Sequence, residues 1–444
     1  MKHLKTIVAL STPLMKSAIH LIRLSGHDAY EIINKITDKT ITKKTHTIQY
    51  TNIVDENNKK VDDVLIFKFV APKSYTGEDM IEISCHGSIF IVKKIIDLLI
   101  TNGAVLAQKG EFTQRAYLNQ KINLLEAESI NNIINANSET GLKIARNPID
   151  NKLAQKLEKI ADDLFQIIGQ IEVNIDYPEF DDLPDIKNQT IISKLITASK
   201  WLKKLTANTL KVLPLMHGIN VAIVGKPNVG KSSLLNALLN QDKAIVSEIS
   251  GTTRDTLEYE VEINGLTYNL IDTAGIHKTN NKIEKIGINK AKENIDKSQI
   301  VLFLVDNSKP IDKNDEDIYQ LVKDKKHIIV LNKADLKAKQ KRFKGIEISA
   351  KNKNIKALLE AINSLNSNLS IDNIDLLPSD NDVKIINHCV DLLNLVISEL
   401  KKNQPIDLFI TFLHQVLDNI NDLLGKSEHY DFIDELFKNF CVGK

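Results

Sequence analysis

The sequence of 444 residues contains few cysteines, no long apolar run and almost no net charge. Its three cysteines, Cys85, Cys389 and Cys441, are an odd and sparse set, which argues against a disulfide framework and favours a reducing compartment. No stretch of about 18 apolar residues occurs, so we expect no membrane-spanning helix. The first apolar run, Ile7–Leu10, is too short for a signal peptide. These absences predict a cytoplasmic protein with no membrane association.

The net charge of the chain is +1, from 58 lysines and arginines against 57 aspartates and glutamates. A chain with so small a net charge has no global field that attracts nucleic acid or anionic lipid. Any contact with RNA must therefore come from a local cluster of basic residues or through a partner protein.

Sequence patterns divide the chain into four segments. Residues 1–118 combine short β-branched segments with a helical stretch that stops at Gly103, which predicts an α+β domain. Residues 119–212 and 376–444 have helical patterns, and residues 213–375 between them alternate strands and helices. We expect the two helical segments to pack as one discontinuous all-α domain into which an α/β domain is inserted. The predicted fold class is therefore multidomain α/β.

A phosphate-binding pattern opens the inserted domain. Residues 225–232 read GKPNVGKS, which matches GxxxxGK[ST] between a predicted strand and a predicted helix. Glycines let backbone N–H groups surround phosphate oxygens, and the start of the helix adds partial positive charge. Lys231 is expected to contact the β- and γ-phosphates, and the Ser232 hydroxyl to bind Mg²⁺. Because such a pattern arises by chance in roughly one chain in fifty of this length at ordinary glycine content, it needs support from other motifs.

Four further motifs provide that support. The segment Asp272–Gly275 (DTAG) ends a predicted strand, where a carboxylate would meet the Mg²⁺ shell, and Gly251–Asp255 contains Thr253, a second possible Mg²⁺ ligand. The segment Asn332–Asp335 (NKAD) follows an apolar strand, and the carboxylate of Asp335 can accept hydrogen bonds from guanine N1 and N2. Ser349–Lys351 suits the guanine O6 side. Together these motifs predict an inserted Ras-like P-loop GTPase domain.

The predicted contacts to GTP or GDP span all of these motifs. They are Asn228, Val229, Gly230, Lys231, Ser232, Ser233, Ser247, Glu248, Ile249, Ser250, Gly251, Thr252, Thr253, Asp272, Thr273, Ala274, Gly275, Asn332, Lys333, Asp335, Ser349, Ala350 and Lys351.

Hydrolysis requires a group other than the glutamine that follows DTAG in many small GTPases, because Ile276 stands at that position. The amide oxygen of Asn228 could hold a monovalent cation that stabilises the charge developing on the phosphates. Glu284 could order the attacking water, or it could be a solvated helix charge paired with a nearby lysine. The candidate catalytic residues are therefore Glu284, Asn228 and Lys231.

Specific motifs also occur outside the nucleotide domain: SYTGED at Ser74–Asp79, Cys85–Gly87, GEFTQRA at Gly110–Ala116 and the C-terminal FCVGK at Phe440–Lys444. Together with the phosphate-loop form GKPNVGKSSLLN, they resemble the motifs of one family, the MnmE (TrmE) tRNA-modification GTPases. The resemblance covers essentially the whole chain. The sequence departs from the family pattern at Leu14–Ile19, which replaces a glycine- and arginine-rich turn, and at His277, where an arginine is often found.

The resemblance implies a homodimer formed by N-terminal domains that bind 5-formyl- or methylene-tetrahydrofolate. It also implies a complex with a flavin-dependent partner, MnmG (GidA), a heterotetramer that contacts tRNA. Such a complex installs a carboxymethylaminomethyl or aminomethyl group at C5 of the wobble uridine, U34, of certain tRNAs, with GTP hydrolysis that depends on K⁺. By position in the family pattern, folate ligands are Arg23, Glu82, Lys121 and Lys444; K⁺ ligands are Asn228, Ser247, Ile249 and Thr252; Mg²⁺ ligands are Ser232 and Thr253; and Glu284 acts in hydrolysis.

Two other functions remain possible at this stage. One is a ribosome-assembly or regulatory GTPase switch without folate chemistry, and the other is a dimerisation GTPase without turnover. The first would be favoured by a basic RNA-binding domain after the GTPase domain, but residues 376–444 carry eleven acidic residues against six lysines. From the residues alone, Arg23, Glu82 and Lys121 could equally be ordinary surface charges. Cys85 and His86 are adjacent in a predicted strand and therefore point to opposite faces, which disfavours a thiol–imidazole pair.

Overall fold

The computed structural model describes residues 5–176, 188–216, 218–239, 258–272, 292, 295–365, 374–426 and 443. The chain forms two compact units. The first contains Met1–Asn131, Lys152–Leu202 and Ile385–Lys444, and the second contains Asn132–Asn151 and Lys203–Lys384. This division is coarser than the four-segment division, whose boundaries stay a prediction. Among the described residues, no helix combines the length and apolar composition needed to span a bilayer.

Six strands of the first unit form one mixed sheet with the order β3-β4-β5-β2-β1-β6. Neighbouring strands are antiparallel except β1 and β6, which are parallel. The strands are β1 Ile7–Leu10, β2 Ile19–Ser25, β3 Thr47–Val54, β4 Lys60–Phe69, β5 Met80–His86 and β6 Val105–Leu106.

The helices Ala29–Asn34 and Ile89–Thr101 bury apolar side chains in the same core as this sheet. The longer helix ends where the pattern predicts, with Asn102 as its cap and Gly103 at φ +114°. The short helices Ala29–Asn34 and Glu111–Leu118 were not predicted, because six to eight residues give too few turns to establish a helical period.

Long helices make up much of the remainder of the first unit, and some lie partly or wholly in the second. Leu153–Asp176 packs against Ile410–Leu424 in the first unit, so segments from both sides of the nucleotide motifs meet there. The first of these helices buries a stripe at three- and four-residue spacing, Leu157, Ala161, Leu164, Ile168 and Ile171. The other helices are Leu124–Asn135, Glu139–Asp150, Asn188–Met216 and Asp380–Lys401, with a short 3₁₀ turn at Ile406–Phe409.

The sheet of the second unit has the order β12-β11-β10-β7-β9-β8, and only β8 runs antiparallel to its neighbour. Its strands are β7 Ile219–Val224, β8 Glu258–Ile263, β9 Leu266–Asp272, β10 Ile300–Asp306, β11 His327–Asn332 and β12 Ile346–Ile348. The helices Lys231–Leu239, Lys313–Val322 and Lys356–Ser364 belong to the same unit. The carboxyl ends of its five parallel strands lie at one edge, where open α/β sheets bind their ligands.

Both faces of the central strand β10 are covered. Leu302 and Leu304 belong to the apolar cluster on one face, and Val301, Phe303 and Val305 belong to the cluster on the other. A parallel strand buried on both faces reads as a continuous apolar run rather than an alternating one. The structure thus has the α/β module, the α+β module and the helical module of the predicted fold class.

Candidate functional sites

The phosphate loop connects β7 to the helix Lys231–Leu239 at the carboxyl edge of the sheet. Gly230 has φ +101°, and a Cβ atom there would clash with the side-chain amide of Asn332. Asn228 is exposed and also has a positive φ, +62°. The loop therefore has the backbone conformation that a phosphate cradle requires, and glycine is needed where Asn332 approaches it.

The ammonium group of Lys231 is held inside this loop. Its Nζ donates to the carbonyl oxygens of Gly225 at 2.8 Å and Lys226 at 2.9 Å. Ser232 and Ser233 follow it in the first helical turn, and both are exposed. These positions leave a cation and two hydroxyl groups at the start of a helix, which is the chemistry that binds phosphate oxygens and Mg²⁺.

Lys226 fixes the loop to a second helix, a role that the sequence did not predict. Its Nζ lies 2.6 Å from Asp312 and 2.7 Å from Asp315, and the Asp315 side chain is only 2% exposed. The hydrogen bond from Lys226 is the main cause that keeps the pKa of Asp312 below its usual value. Asp312 and Asp315 also form a capping box at the start of Lys313–Val322. The spacing of the two aspartates marks this cap in the sequence, but nothing local indicates its lysine partner.

Asn332 joins three of the predicted motifs. Its side chain is buried, and its Nδ2 donates to the carbonyl of Val229 at 2.8 Å in the phosphate loop. Its Oδ1 accepts from the backbone N–H of Ala350 at 3.0 Å in the SAK motif. The phosphate loop, NKAD and SAK therefore form one hydrogen-bonded group.

Asp335, the residue predicted to recognise guanine, offers an exposed carboxylate. This carboxylate accepts a hydrogen bond from the Ser349 hydroxyl at 2.7 Å. That hydrogen bond is the main cause that lowers the pKa of Asp335, with smaller contributions from the charges of Lys351 and Lys333. The carboxylate is therefore ionised at neutral pH and acts only as an acceptor, which suits the N–H donors of guanine.

Lys333 ties the base motif to the phosphate loop. Its Nζ donates to the carbonyl of Asn228 at 3.0 Å and to Asp306 at 2.7 Å. Asp306 is 6% exposed and also accepts from the Ser308 hydroxyl. The lysine thus holds in place the residue predicted to bind a monovalent cation.

Several predicted nucleotide and metal ligands cannot be tested against this geometry. Only the backbone of Asp272 is described, at the end of β9. The predicted residues outside the described part of the chain are Ser247, Glu248, Ile249, Ser250, Gly251, Thr252, Thr253, Thr273, Ala274, Gly275, Glu284 and Lys444. Their roles stay predictions, as do the departure at His277 and any role of Cys441.

A second candidate site lies on the sheet of the first unit. Arg23 on β2 and Glu82 on β5 are cross-strand partners, and the guanidinium donates through Nε at 2.9 Å and Nη2 at 2.7 Å to one carboxylate oxygen. Their side chains are 13% and 16% exposed. The guanidinium also lies 5.5 Å from the ring centroids of Tyr75 and Phe112. Burial and stacking therefore fix the position of this charge pair.

The C-terminal motif reaches this pair. The carbonyl of Gly443 accepts from Arg23 Nη1 at 3.1 Å and from the Ser11 hydroxyl at 3.3 Å. Gly443 has φ +89°, and a Cβ atom there would lie 2.5 Å from the carbonyl oxygen of Leu10. The penultimate residue thus binds beside Arg23, and a side chain at this position would prevent the contact.

Lys121 lines a cavity of about 320 Å³ that lies near the Arg23 pair. Its Nζ donates to the carbonyl of Pro72 at 3.1 Å. Tyr75 is common to both places, because its ring lies beneath Arg23 and also lines this cavity. The complete lining is His46, Phe69, Lys73, Ser74, Tyr75 and Lys121.

The SYTGED and GEFTQRA motifs support this region through a buried ion pair. Arg115 is 3% exposed and donates to both carboxylate oxygens of Glu78 at 3.1 Å and to Glu111 at 2.8 Å. Glu78 also accepts from the Ser25 hydroxyl at 2.8 Å. Of the segment Leu14–Ile19, residues 14–18 form an irregular loop before β2 and Ile19 is the first residue of that strand, with the apolar side chains of Leu14, Met15 and Ile19 exposed.

Cys85 and His86 do not form a nucleophile–base pair. The Cys85 side chain is buried, and its pKa is raised to about 11, mainly by burial and further by the charge of Asp62. His86 is exposed and binds Asp62 through Nδ1 at 2.6 Å. The two side chains lie on opposite faces of β5, as strand alternation predicts.

Comparison with known proteins gives matches along nearly the whole chain. The family model described as GTP-binding protein TrmE N-terminus matches residues 6–121, and the model of the MnmE helical domain matches residues 124–441. The chain is 45% identical over 443 residues to the tRNA modification GTPase MnmE of Ureaplasma parvum serovar 3, which covers 99% of this chain and 100% of the relative. It is 37% identical over 458 residues to that of Ligilactobacillus salivarius, covering 99% and 98%. Among solved structures, Era of Aquifex aeolicus bound to GDP·AlF4⁻ matches 39% of this chain and 66% of its own at 27% identity, with a TM-score of 0.26.

Proposed function

The chain belongs to the MnmE family of tRNA modification GTPases, and from this premise we propose which residues carry its GTPase cycle and its tRNA chemistry. It is a GTP hydrolase that acts in tRNA modification. The proposed reaction is the addition of a carboxymethylaminomethyl or aminomethyl group at C5 of U34 in certain tRNAs. A tetrahydrofolate would supply the one-carbon unit, and a flavin-dependent MnmG-type protein would be the partner. The proposed compartment is the cytoplasm.

The main support for the nucleotide site is the side chain of Asn332, whose amide hydrogen-bonds to both the phosphate loop and the SAK motif. We assign the phosphates to the backbone of residues 228–233 and to Lys231. We assign guanine to Asp335 and to Ser349–Lys351. On binding, phosphate oxygens would replace the two loop carbonyls as hydrogen-bond acceptors of the Lys231 ammonium. The charge of Lys231 would therefore not be buried without a polar partner.

The metal ligands of the nucleotide site are Ser232 and Thr253 for Mg²⁺ and Asn228, Ser247, Ile249 and Thr252 for K⁺. Held by these residues, the two cations would supply positive charge beside the phosphates. Two observations support these roles. Ser232 and Asn228 are exposed, and Lys333 donates a hydrogen bond to the Asn228 carbonyl. Glu284 is the proposed residue that orders water.

The K⁺ requirement is tested by replacing K⁺ with Na⁺ in a phosphate-release assay. Hydrolysis by the native chain is expected to fall steeply in Na⁺, and Asn228→Ala is expected to remove the difference between the two salts. Equal rates of the native chain in both salts would contradict the K⁺ ligands while leaving the GTP site unaffected.

The proposed folate site uses Arg23, Glu82, Lys121 and Lys444. The site offers a carboxylate acceptor, two cations and the aromatic face of Tyr75 near a cavity of about 320 Å³. These groups suit a flat heterocycle with N–H donors and a carboxylate tail. When bound, the folate supplies the one-carbon unit, and the chain's residues would hold its ring and tail.

Calorimetry with 5-formyltetrahydrofolate tests this site. We expect the full chain to bind it and Lys121→Gln to bind it more weakly, with GDP affinity unchanged in both proteins. Absence of folate binding by the native chain would favour a GTPase switch without folate chemistry.

The C-terminal motif is proposed to act in the modification reaction itself. Gly443 lies at Arg23, so the tail reaches the proposed folate site. Deleting Val442–Lys444 is expected to abolish uridine modification by the complex with the MnmG-type partner while GTP binding is retained. Normal modification by the truncated chain would exclude this role. The proposed assembly is a homodimer joined to the partner in a heterotetramer, which light scattering of the mixed proteins would detect.

A further inference from the structure

A cluster of exposed basic side chains lies between β11 and β12 in the second unit. The segment 336–346 carries five cationic residues and no aspartate or glutamate, although the whole chain has a net charge of only +1. We refer to residues 336–344 as the basic loop. Its cationic residues, all exposed, are Lys337, Lys339, Lys341, Arg342 and Lys344.

The backbone of the basic loop is fixed to the core of the unit. The carbonyl of Asn307 accepts from the backbone N–H groups of Lys339 at 2.8 Å and Gln340 at 3.3 Å. The Gln340 side chain donates to the Phe343 carbonyl at 3.0 Å and accepts from the Phe343 N–H at 3.1 Å. The basic side chains therefore project from an ordered backbone, which reduces the entropy lost when a ligand binds them.

Phe343 provides the apolar anchor of the loop. Its side chain is 9% exposed, and its ring centroid lies 5.6 Å from that of Phe303 and 5.0 Å from that of Tyr319. Since Gln340 and Phe343 point inward, the lysines on either side of them face solvent. The two anchored side chains thus alternate along the loop with five exposed cationic side chains.

Among the described residues, carboxylates neutralise little of this charge. Arg342 lies 3.1 Å from Glu316, and both side chains are exposed, so this ion pair contributes little. Within the part of the chain that the structure describes, Lys337, Lys339, Lys341 and Lys344 have no carboxylate at ion-pair distance. Four cations are therefore available to an anionic partner.

The basic loop also lies directly after the base-recognition motif. Asp335 precedes it by one residue, and Asn307, which holds the loop, donates its own N–H to the carbonyl of Asn332 at 2.9 Å. A molecule bound to the loop would thus lie beside the nucleotide site, on an element hydrogen-bonded to it.

We propose that the basic loop binds the phosphate backbone of the tRNA. This inference rests on the tRNA-modification function of the family, and it assigns to this chain a contact surface for the RNA. Lysine is a point-charge ligand for phosphate, and phosphate contacts supply most sequence-independent affinity. A protein partner would instead require an apolar centre, whereas Leu336 is the only large apolar side chain exposed in the described loop. The loop contains no exposed aromatic ring for stacking on bases, so the contact positions the tRNA without reading its sequence.

The test compares two fourfold substitutions in the full-length chain. One replaces Lys337, Lys339, Lys341 and Lys344 by glutamine, and its control replaces the exposed Lys200, Lys203, Lys204 and Lys211 of the helix Asn188–Met216 by glutamine. Affinity for an unmodified tRNA transcript is measured by filter binding with GDP present and with NaCl varied. The loop variant should bind at least about 10-fold more weakly, and the slope of log K against log salt should fall by about three, since each phosphate contact contributes about 0.7 to 0.9.

The outcomes separate the alternatives. The control variant should keep the native affinity within about twofold, and a third variant with arginine at the four loop positions should retain binding because it keeps the charge. Equal weakening by both glutamine variants would mean that only net charge matters, and it would overturn the proposal. The proposal would also be overturned if the loop variant bound tRNA with native affinity, whether or not it lost binding to a protein partner. Native GDP affinity in each variant shows that the nucleotide site is intact. The tRNA-binding result does not depend on whether the folate and K⁺ proposals are correct.

Discussion

The nucleotide site and the Arg23 site are assembled from the sequence in different ways. In the second unit, the groups come from short motifs that each follow a parallel strand, and the sheet brings the strand ends to one edge. In the first unit, Arg23 and Glu82 meet only because β2 and β5 pair in one register, and Gly443 joins them from the end of the chain. The nucleotide site can therefore be predicted from local motifs. The Arg23 site cannot, because it depends on the pairing register of two strands and on contact with a residue distant in sequence.

The two sites also differ in how their charges are held. Lys231 is bonded to two loop carbonyls and Asp335 to a single hydroxyl, and a ligand can replace these partners. Arg23 is bonded twice to Glu82, lies 5.5 Å from two ring centroids and donates to Gly443. We therefore expect substitutions in the nucleotide site to change ligand binding and turnover, and substitutions of the Arg23 pair to change stability as well.

The largest expected effect is that of Lys231→Ala on GTP turnover. Removal of the charge that we propose stabilises the transferring phosphoryl group should lower turnover by about 10²- to 10³-fold. Lys226→Ala is the matched control, because this lysine positions the loop from outside through Asp312 and Asp315. A phosphate-release assay should show a loss of about 10-fold or less for the control. Equal losses would mean that loop position alone accounts for both effects.

The next effect concerns base selectivity. Asp335→Asn should lower the preference for GDP over xanthosine diphosphate by about 10²-fold or more, since the amide no longer offers two acceptors to guanine and can donate to the xanthine carbonyl. Ser349→Ala keeps the carboxylate and removes only its hydrogen-bond partner, so its effect should be below about 10-fold. Competition binding with the two nucleotides measures both changes. An unaltered preference in Asp335→Asn would refute the assignment of this residue to the base.

In the first unit, a double-mutant cycle on Arg23 and Glu82 tests whether the pair is structural. Either single leucine substitution leaves one mostly buried charge without its partner, and we expect a loss of about 2–3 kcal/mol, below the range for fully buried pairs. The double leucine variant should lose less than the sum of the singles. Urea unfolding of the full chain, followed by circular dichroism, provides the measurement. Additive losses would show that the two charges do not depend on each other.

These differences explain how much could be predicted from the sequence. The phosphate loop, NKAD and SAK are contiguous motifs, so their residues and their common sheet edge could be predicted. The ion pair between Lys226 and Asp315 joins residues of separate elements, and no local sequence pattern indicates it. The contact of Gly443 with Arg23 depends on the complete fold of the first unit, and the family resemblance predicted only that Arg23 and the neighbouring Lys444 belong to one folate site. The hydrogen bonds of the Asn332 side chain could not be predicted either, because the NKAD motif does not indicate which loops the amide connects.

The chemical reactivity of Cys85 tests how far strand alternation alone can predict chemistry. Burial raises the pKa of its thiol from 9.0 to about 11, so at pH 8 the thiolate fraction should be about 10²-fold below that of a free cysteine. Alkylation by iodoacetamide, measured on the Cys85 peptide by mass spectrometry, should be slower by at least that factor than in the urea-unfolded chain. Because the folded state keeps this proton longer than the unfolded state, its contribution to stability is present below about pH 9 and is lost as the pH rises towards about 11.

His86→Ala is the informative control for this last prediction. Among the described residues, the imidazole hydrogen-bonds to Asp62 and not to the Cys85 thiol, so its removal should leave the alkylation rate of Cys85 largely unchanged. A lower rate in this variant would reveal a thiolate activated by the imidazole. The alternation of side chains across a strand would then be an insufficient reason to exclude a pair of adjacent residues from catalysis, and the first unit would contain a reactive centre that neither register nor burial predicts.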